Sequence, residues 1–198
     1  MAEEHSRDNG SPGAPGEKIQ SLVDTLAGNY AAASSRQPGH PLKSDLVDYQ
    51  NWLDEAHQFF RDATRQELTL TYASEWVLDN YYIIRQALRQ IEKDLPAGYY
   101  HQLPKLTGGP LKGFPRVYAI TRQVLAEQNL LLNIGDLQAV LVSLQQRVPL
   151  TMGELWATPI FLRYGLIEGL SHALEGALTS AAGSLQGVRL PETGPLIP

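Results

Sequence analysis

The chain has 198 residues and a formal net charge of −5, and 43% of its residues are hydrophobic. This is enough apolar material for one domain with a real core. Without a broad positive field it is a poor partner for nucleic acid. It has no cysteine, which excludes disulfides and thiolate metal sites and fits a reducing compartment. The start, Met1-Ala2-Glu3-Glu4-His5, has neither the basic nor the apolar stretch of a secretory signal. No run approaches the ~18 apolar residues of a membrane span, since Arg163 and Glu168 interrupt the most apolar segment. A cytoplasmic location is therefore expected.

Residues 1–16 are rich in Gly, Pro, Ser and charge and read as a disordered tail. Leading helices are expected over 17–64. The first places Ile19, Leu22, Val23 and Leu26 at helical spacing and runs to about Ser34. Gly39-His40-Pro41 breaks the pattern, and a second helix opens near Lys43 or Ser44. Its apolar face is Leu46, Tyr49, Trp52, Leu53, Ala56 and Phe60. A strand is conceivable only around Leu68 to Leu70.

The main helical domain is expected over 65–179. Its third helix, capped by Thr71 or Ser74, aligns Trp76, Asn80, Ile83, Ile84, Ala87, Leu88 and Ile91 in one stripe. From Pro96 to Pro115 four prolines and four glycines predict a long loop, which is usually functional or pinned by packing. Pro115 suits the first turn of a fourth helix to about Gln128, and a fifth runs from about Gly135 to Val148. Thr151 followed by Glu154 is a capping box opening a sixth helix to about Leu178, with Pro159 expected to kink it. The tail over 180–198 reads as a flexible linker. The fold class is thus all-α, with about six helices. The third and sixth helices are expected to pack together, with Trp76, Asn80 and Trp156 inside and with Asn80 and Glu75 or Glu154 bonded across or beside the interface. On that reading Trp76→Ala costs about 3–5 kcal/mol.

Candidate sites are few. Thr107 to Gly113 is glycine-rich enough to cradle a phosphate, but the residues after Gly113 are Phe and Pro, not the Lys and Ser or Thr of a P-loop. Tyr99, Tyr100 and His101 stand near Lys105 in the same loop, with Lys112 and Arg116 beyond. Rings beside hydrogen-bonding groups suit a sugar, and equally suit a loop lying on the core. Glu75 and Asp79 share a helix face, and Glu154 and Glu168 lie on the sixth helix. Such carboxylates can act as acid and base, hold a divalent cation, or simply pair with Arg85, Arg89, Arg116 or Arg163. The five scattered histidines form no metal spacing, and no Gly-x-Ser-x-Gly elbow is present. No catalytic residue, metal or cofactor is assigned. Leu190-Pro191-Glu192-Thr193-Gly194 spells a sorting motif without the hydrophobic segment and basic tail it needs.

The blocks Ser74-Glu75-Trp76-Val77-Leu78-Asp79-Asn80-Tyr81-Tyr82-Ile83-Ile84, Asp94-Leu95-Pro96, Gly98-Tyr99-Tyr100, Leu103-Pro104 and Gly113-Phe114-Pro115-Arg116-Val117-Tyr118 follow one another in order. Then come Pro149-Leu150-Thr151-Met152-Gly153-Glu154-Leu155-Trp156-Ala157, Pro159-Ile160 and Leu162-Arg163. Together they resemble the N-terminal region of bacterial cyclic β-1,2-glucan synthases, whose transferase belongs to glycosyltransferase family 84. The sequence departs from the pattern at Gly169 and after Glu127. The resemblance implies a large inner-membrane enzyme that polymerises glucose from UDP-glucose. Its transferase and phosphorylase-like domains lie outside the region matched. It also implies that this chain is a non-catalytic accessory module, partnered by the rest of the synthase at the cytoplasmic face. The alternative is a module that binds glucan or UDP-glucose.

Overall fold

The computed structural model describes residues 15–67 and 70–181. The sorting motif, most of the Leu68 to Leu70 stretch and the expected tails lie outside them, except that Pro15 and Gly16, expected disordered, already belong to the first helix and residues 180–181 still belong to the last. Seven helices are described: α1 (Pro15–Tyr30), α2 (Leu42–Arg65), α3 (Tyr72–Asp94), α4 (Ala97–Gln102), α5 (Arg116–Glu127), α6 (Ile134–Arg147) and α7 (Met152–Ala181). Two two-residue strands, β1 (Ala33–Ser34) and β2 (Lys105–Leu106), pair antiparallel, Ala33 opposite Leu106. The all-α expectation holds.

The helices arise where periodicity and caps agree. All six predicted face residues of α2 are buried. At α3 the Thr71 side chain accepts from the Ser74 amide at 3.3 Å. At α6 Asn133 accepts from the Asp136 amide. At α7 the predicted capping box forms in both directions: Thr151 Oγ1 accepts from the Glu154 amide at 3.2 Å, and Glu154 Oε2 accepts from the Thr151 amide at 2.8 Å. The helix runs through Pro159.

Two departures have physical causes. The 96–115 segment is not structureless, because Pro96 starts the short α4 and Lys105–Leu106 supplies β2. After β2, Gly113 sits at φ 87°, where a Cβ would press on the Pro38 carbonyl at 3.3 Å. The loop amides are used internally, Gly113 N to Leu106 O at 2.9 Å and Lys112 N to Gly109 O at 3.2 Å. Thr107 to Gly113 is therefore a turn, not a phosphate cradle. The first helix also stops at Tyr30, four residues short of the expected end, where the chain leaves for β1.

The buried apolar side chains form two clusters. The larger joins α2, α3, α4, α5 and α7, with Tyr49, Tyr118, Phe161 and Tyr164 at its centre. The smaller joins α1, α5, α6 and part of α7 through Leu26, Val124, Leu125, Val140 and Leu162. Helix α7 packs against α5, α3 and α2, so the predicted pairing of α3 with α7 is present. The predicted facing of α3 holds at Ile84, Leu88 and Ile91 but not at Trp76, Asn80 and Ile83. Its buried residues are Ser74, Val77, Tyr81, Ile84, Leu88 and Ile91, whereas Trp76 is 41% exposed and Asn80 only partly covered. Trp156, also expected inside, is 69% exposed. Tyr81 wins the inner position because its ring stacks on His57 at 3.9 Å and its hydroxyl donates to Asp54 on α2. The Asn80 amide donates to its own helix, at the Trp76 carbonyl. Trp76→Ala and Trp156→Ala are each expected to shift stability by no more than about 1 kcal/mol, read as nearly superposable melting curves.

Candidate functional site

The polar residues singled out from sequence gather into three internal nodes and one exposed face. The first node closes the N-terminus of α7. Arg116, the first residue of α5, reaches across so that its Nε and Nη2 donate to the two Glu154 carboxylate oxygens at 2.8 and 2.7 Å. Its Nη2 also donates to the Pro149 carbonyl at 3.2 Å. Glu154 is 0% exposed. With both oxygens occupied by Arg116 and Thr151, it is placed to orient helices rather than to exchange a proton with a substrate. Beside it the Tyr99 hydroxyl donates to the Gly153 carbonyl at 2.6 Å.

The second node pins the loop. Lys105 is buried; its Nζ donates to the carbonyls of Tyr100 at 2.8 Å and His101 at 2.7 Å, and lies 5.1 Å from the centre of the Tyr100 ring. These contacts satisfy the end of α4, and burial lowers the amine's pKa. The Tyr100 hydroxyl donates to the His40 carbonyl, while His40 bonds to Asp45 at 2.7 Å and stacks on Phe114 at 4.1 Å. Of the six residues proposed for sugar contact, Tyr99, Tyr100, Lys105 and Arg116 thus spend their polar atoms on the protein itself. His101 and Lys112 face solvent.

The third node had only a weak signal in the sequence. Glu168, fully buried on α7, accepts from the hydroxyls of Tyr118 at 2.8 Å and Tyr49 at 3.3 Å. Tyr164, edge-on to both Tyr49 and Tyr118, completes an aromatic shell around it. Burial, reinforced by the Glu168 charge, raises the pKa of Tyr118 and of Tyr164 well above the usual tyrosine value. A carboxylate in an apolar run is the available hint, and its partners come from helices far apart in sequence.

The remaining nominated residues sit outside. Glu75 and Asp79 are exposed on α3 and have no side-chain partner among the described residues, and Arg163 on α7 is exposed, its guanidinium 3.5 Å from the Pro159 carbonyl. An open groove of about 690 Å³ lies elsewhere, between α1, the end of α5 and α6, lined by Ile19, Leu22, Glu17, Glu127, Asp136 and Val140 among others. No nominated residue lines it. Among the described residues no helix is long and apolar enough to cross a membrane, and no three His, Asp or Glu side chains gather as a metal site.

No protein-family profile matches the chain. It is 34% identical over 103 residues, 52% of its length, to the cyclic beta-(1,2)-glucan synthase NdvB of Rhizobium meliloti (strain 1021). That stretch is 4% of the relative's length, so the chain corresponds to a small part of a much larger protein. Over half of its length the chain is therefore a partial homologue of that synthase.

Proposed function

We propose that the chain is a non-catalytic helical accessory module of, or related to, a cyclic β-1,2-glucan synthase, docking on the remainder of such an enzyme at its cytoplasmic side. The observation that supports this reading is the placement of large apolar side chains on the outer faces of α3 and α7. On α7, Met152 and Trp156 are 61% and 69% exposed and Leu166 37%, all on one line of the helix surface. On α3, Tyr72, Trp76 and Ile83 form a second such line. Large exposed apolar patches mark interaction surfaces. The buried polar nodes meanwhile serve to hold helices in register.

The test is co-expression of the tagged chain with the Rhizobium synthase from which the matching stretch has been deleted. Capture of the synthase on the tag is expected, and Trp156→Ala should weaken it without lowering the melting temperature. A folded chain that never captures the synthase defeats the proposal.

A further inference from the structure

The outer face of α3 has a composition that α7 lacks. Within twelve residues it carries Tyr72, Tyr82, Ile83 and Trp76, exposed by 83, 66, 44 and 41%. Helical geometry places Tyr72, Trp76, Asp79 and Ile83 along one line and Glu75 and Tyr82 along the next. The opposite face is committed to α2 and α7. Two carboxylates, Glu75 and Asp79, thus lie among three aromatic rings, and neither has a side-chain partner among the described residues. Glu75 complements the positive end of the helix; Asp79, a turn further on, gains less from it. The nearest cations on the same helix lie past the C-terminal end of the patch. Arg85 turns to the α2 side, where its charge acts on His57 and Tyr81, and Arg89 is further along.

Both chemistries present on this face attract cations: carboxylates by charge, and aromatic faces by their quadrupoles. The chain as a whole is acidic, at −5. We infer that the outer face of α3 docks a basic, apolar segment of a partner protein, whose Arg or Lys side chains stack on Trp76 and the neighbouring tyrosines and pair with Glu75 and Asp79. This specifies a surface for the docking proposed above and rests on that reading. A nucleotide sugar would bring its diphosphate against two carboxylates, which complementarity disfavours.

The experiment uses the full chain and two synthetic amphipathic peptides, one built of Leu, Ala and Arg and the other with Glu in place of Arg, titrated calorimetrically. The Arg peptide is expected to bind and the Glu peptide to give no heat. Reversing Glu75→Lys with Asp79→Lys should weaken binding by about tenfold or more, whereas reversing Asp48→Lys with Glu55→Lys on α2 should change it by less than about threefold. Trp76→Ala should weaken binding with its melting curve unchanged. Equal effects of the two reversals, equal binding of both peptides, or no binding of the Arg peptide would each overturn the inference. So would a patch that instead binds glucose oligomers, or a second copy of the chain, in a Trp76-dependent way. The capture experiment separates this inference from the reading it rests on. If the α3 reversal leaves capture of the synthase intact, the inference falls and docking stands. If the Arg peptide binds through α3 but the synthase is never captured, docking on a synthase falls and the surface stands.

Discussion

Replacing Arg116 with leucine is expected to destabilise the domain by about 3–5 kcal/mol, the usual consequence of leaving one member of a buried ion pair alone. Glu154 would keep its bonds from the Thr151 amide and hydroxyl but lose both donors from Arg116, in a place with no solvent to replace them. The Pro149 carbonyl would lose its partner as well. Because a domain of this size has only about 5–15 kcal/mol of stability, the variant should melt far below the parent. The double replacement Arg116→Leu with Glu154→Leu removes both charges and is expected to recover much of the loss, since a buried pair contributes little beyond the apolar side chains that could replace it. Urea denaturation of parent, single and double variants gives the comparison. If Arg116→Leu unfolds at the parent's midpoint, the pair does not hold α5 to α7.

The second large effect is with pH. Tyr118, Tyr164, Tyr100 and Tyr81 all have their hydroxyl pKa raised in the folded state. Burial is the main cause throughout, aided at Tyr118 and Tyr164 by Glu168, at Tyr100 by Asp45 and at Tyr81 by its bond to Asp54. In the unfolded chain these groups ionise near pH 10. Below that pH both states keep the proton and the stability is present in full. Above it the unfolded state loses protons that the folded state retains, so stability falls as pH rises towards the folded pKa values. Each such tyrosine removes about 1.4 kcal/mol per pH unit. Tyr118, Tyr164 and Tyr100 together therefore remove about 4 kcal/mol per unit, enough to unfold the domain within about one to four units above pH 10. Tyrosinate absorbance and helical circular dichroism should change together in one steep step. A gradual tyrosinate titration centred near pH 10 with the helices intact would show that these hydroxyls are open to water.

The helices were legible because their signals are local. Thr151 and Glu154 are three residues apart and cap each other, and α2 shows its buried face at a regular spacing. The facing of α3 was legible only in part. Val77, Tyr81, Ile84, Leu88 and Ile91 recur at spacings of four and three, but the size of Trp76 draws the reading of the first turns one position away from that stripe. The partners of Tyr81, Asp54 and His57, come from α2 and carry no local signal. The sequence likewise placed Tyr99, Tyr100 and Lys105 together but not what they touch. Their partners, the carbonyls of Gly153 and His40 and the end of α4, depend on how the chain returns. Glu168 needed Tyr49 and Tyr118, 119 and 50 residues away. The 34% identity confirms the relation the ordered blocks pointed to, while those blocks carry no information on which faces remain uncovered.

The division of the apolar side chains into two clusters bears on how the chain assembles. Helices α2 and α3, neighbours in sequence, pack directly on each other and can meet early, at little cost in closing the chain. Helix α1 has no such advantage. Its packing partner α6 begins more than a hundred positions later, and β1 pairs with a strand some seventy positions away. Loop-closure entropy rises with that separation, so joining them repays its cost only after the intervening helices have shortened the path. Because α5 and α7 contribute to both clusters, the first cluster to form already positions half the wall of the second. The N-terminal helix then completes the fold as a late strap, closing over a surface built by the rest of the chain.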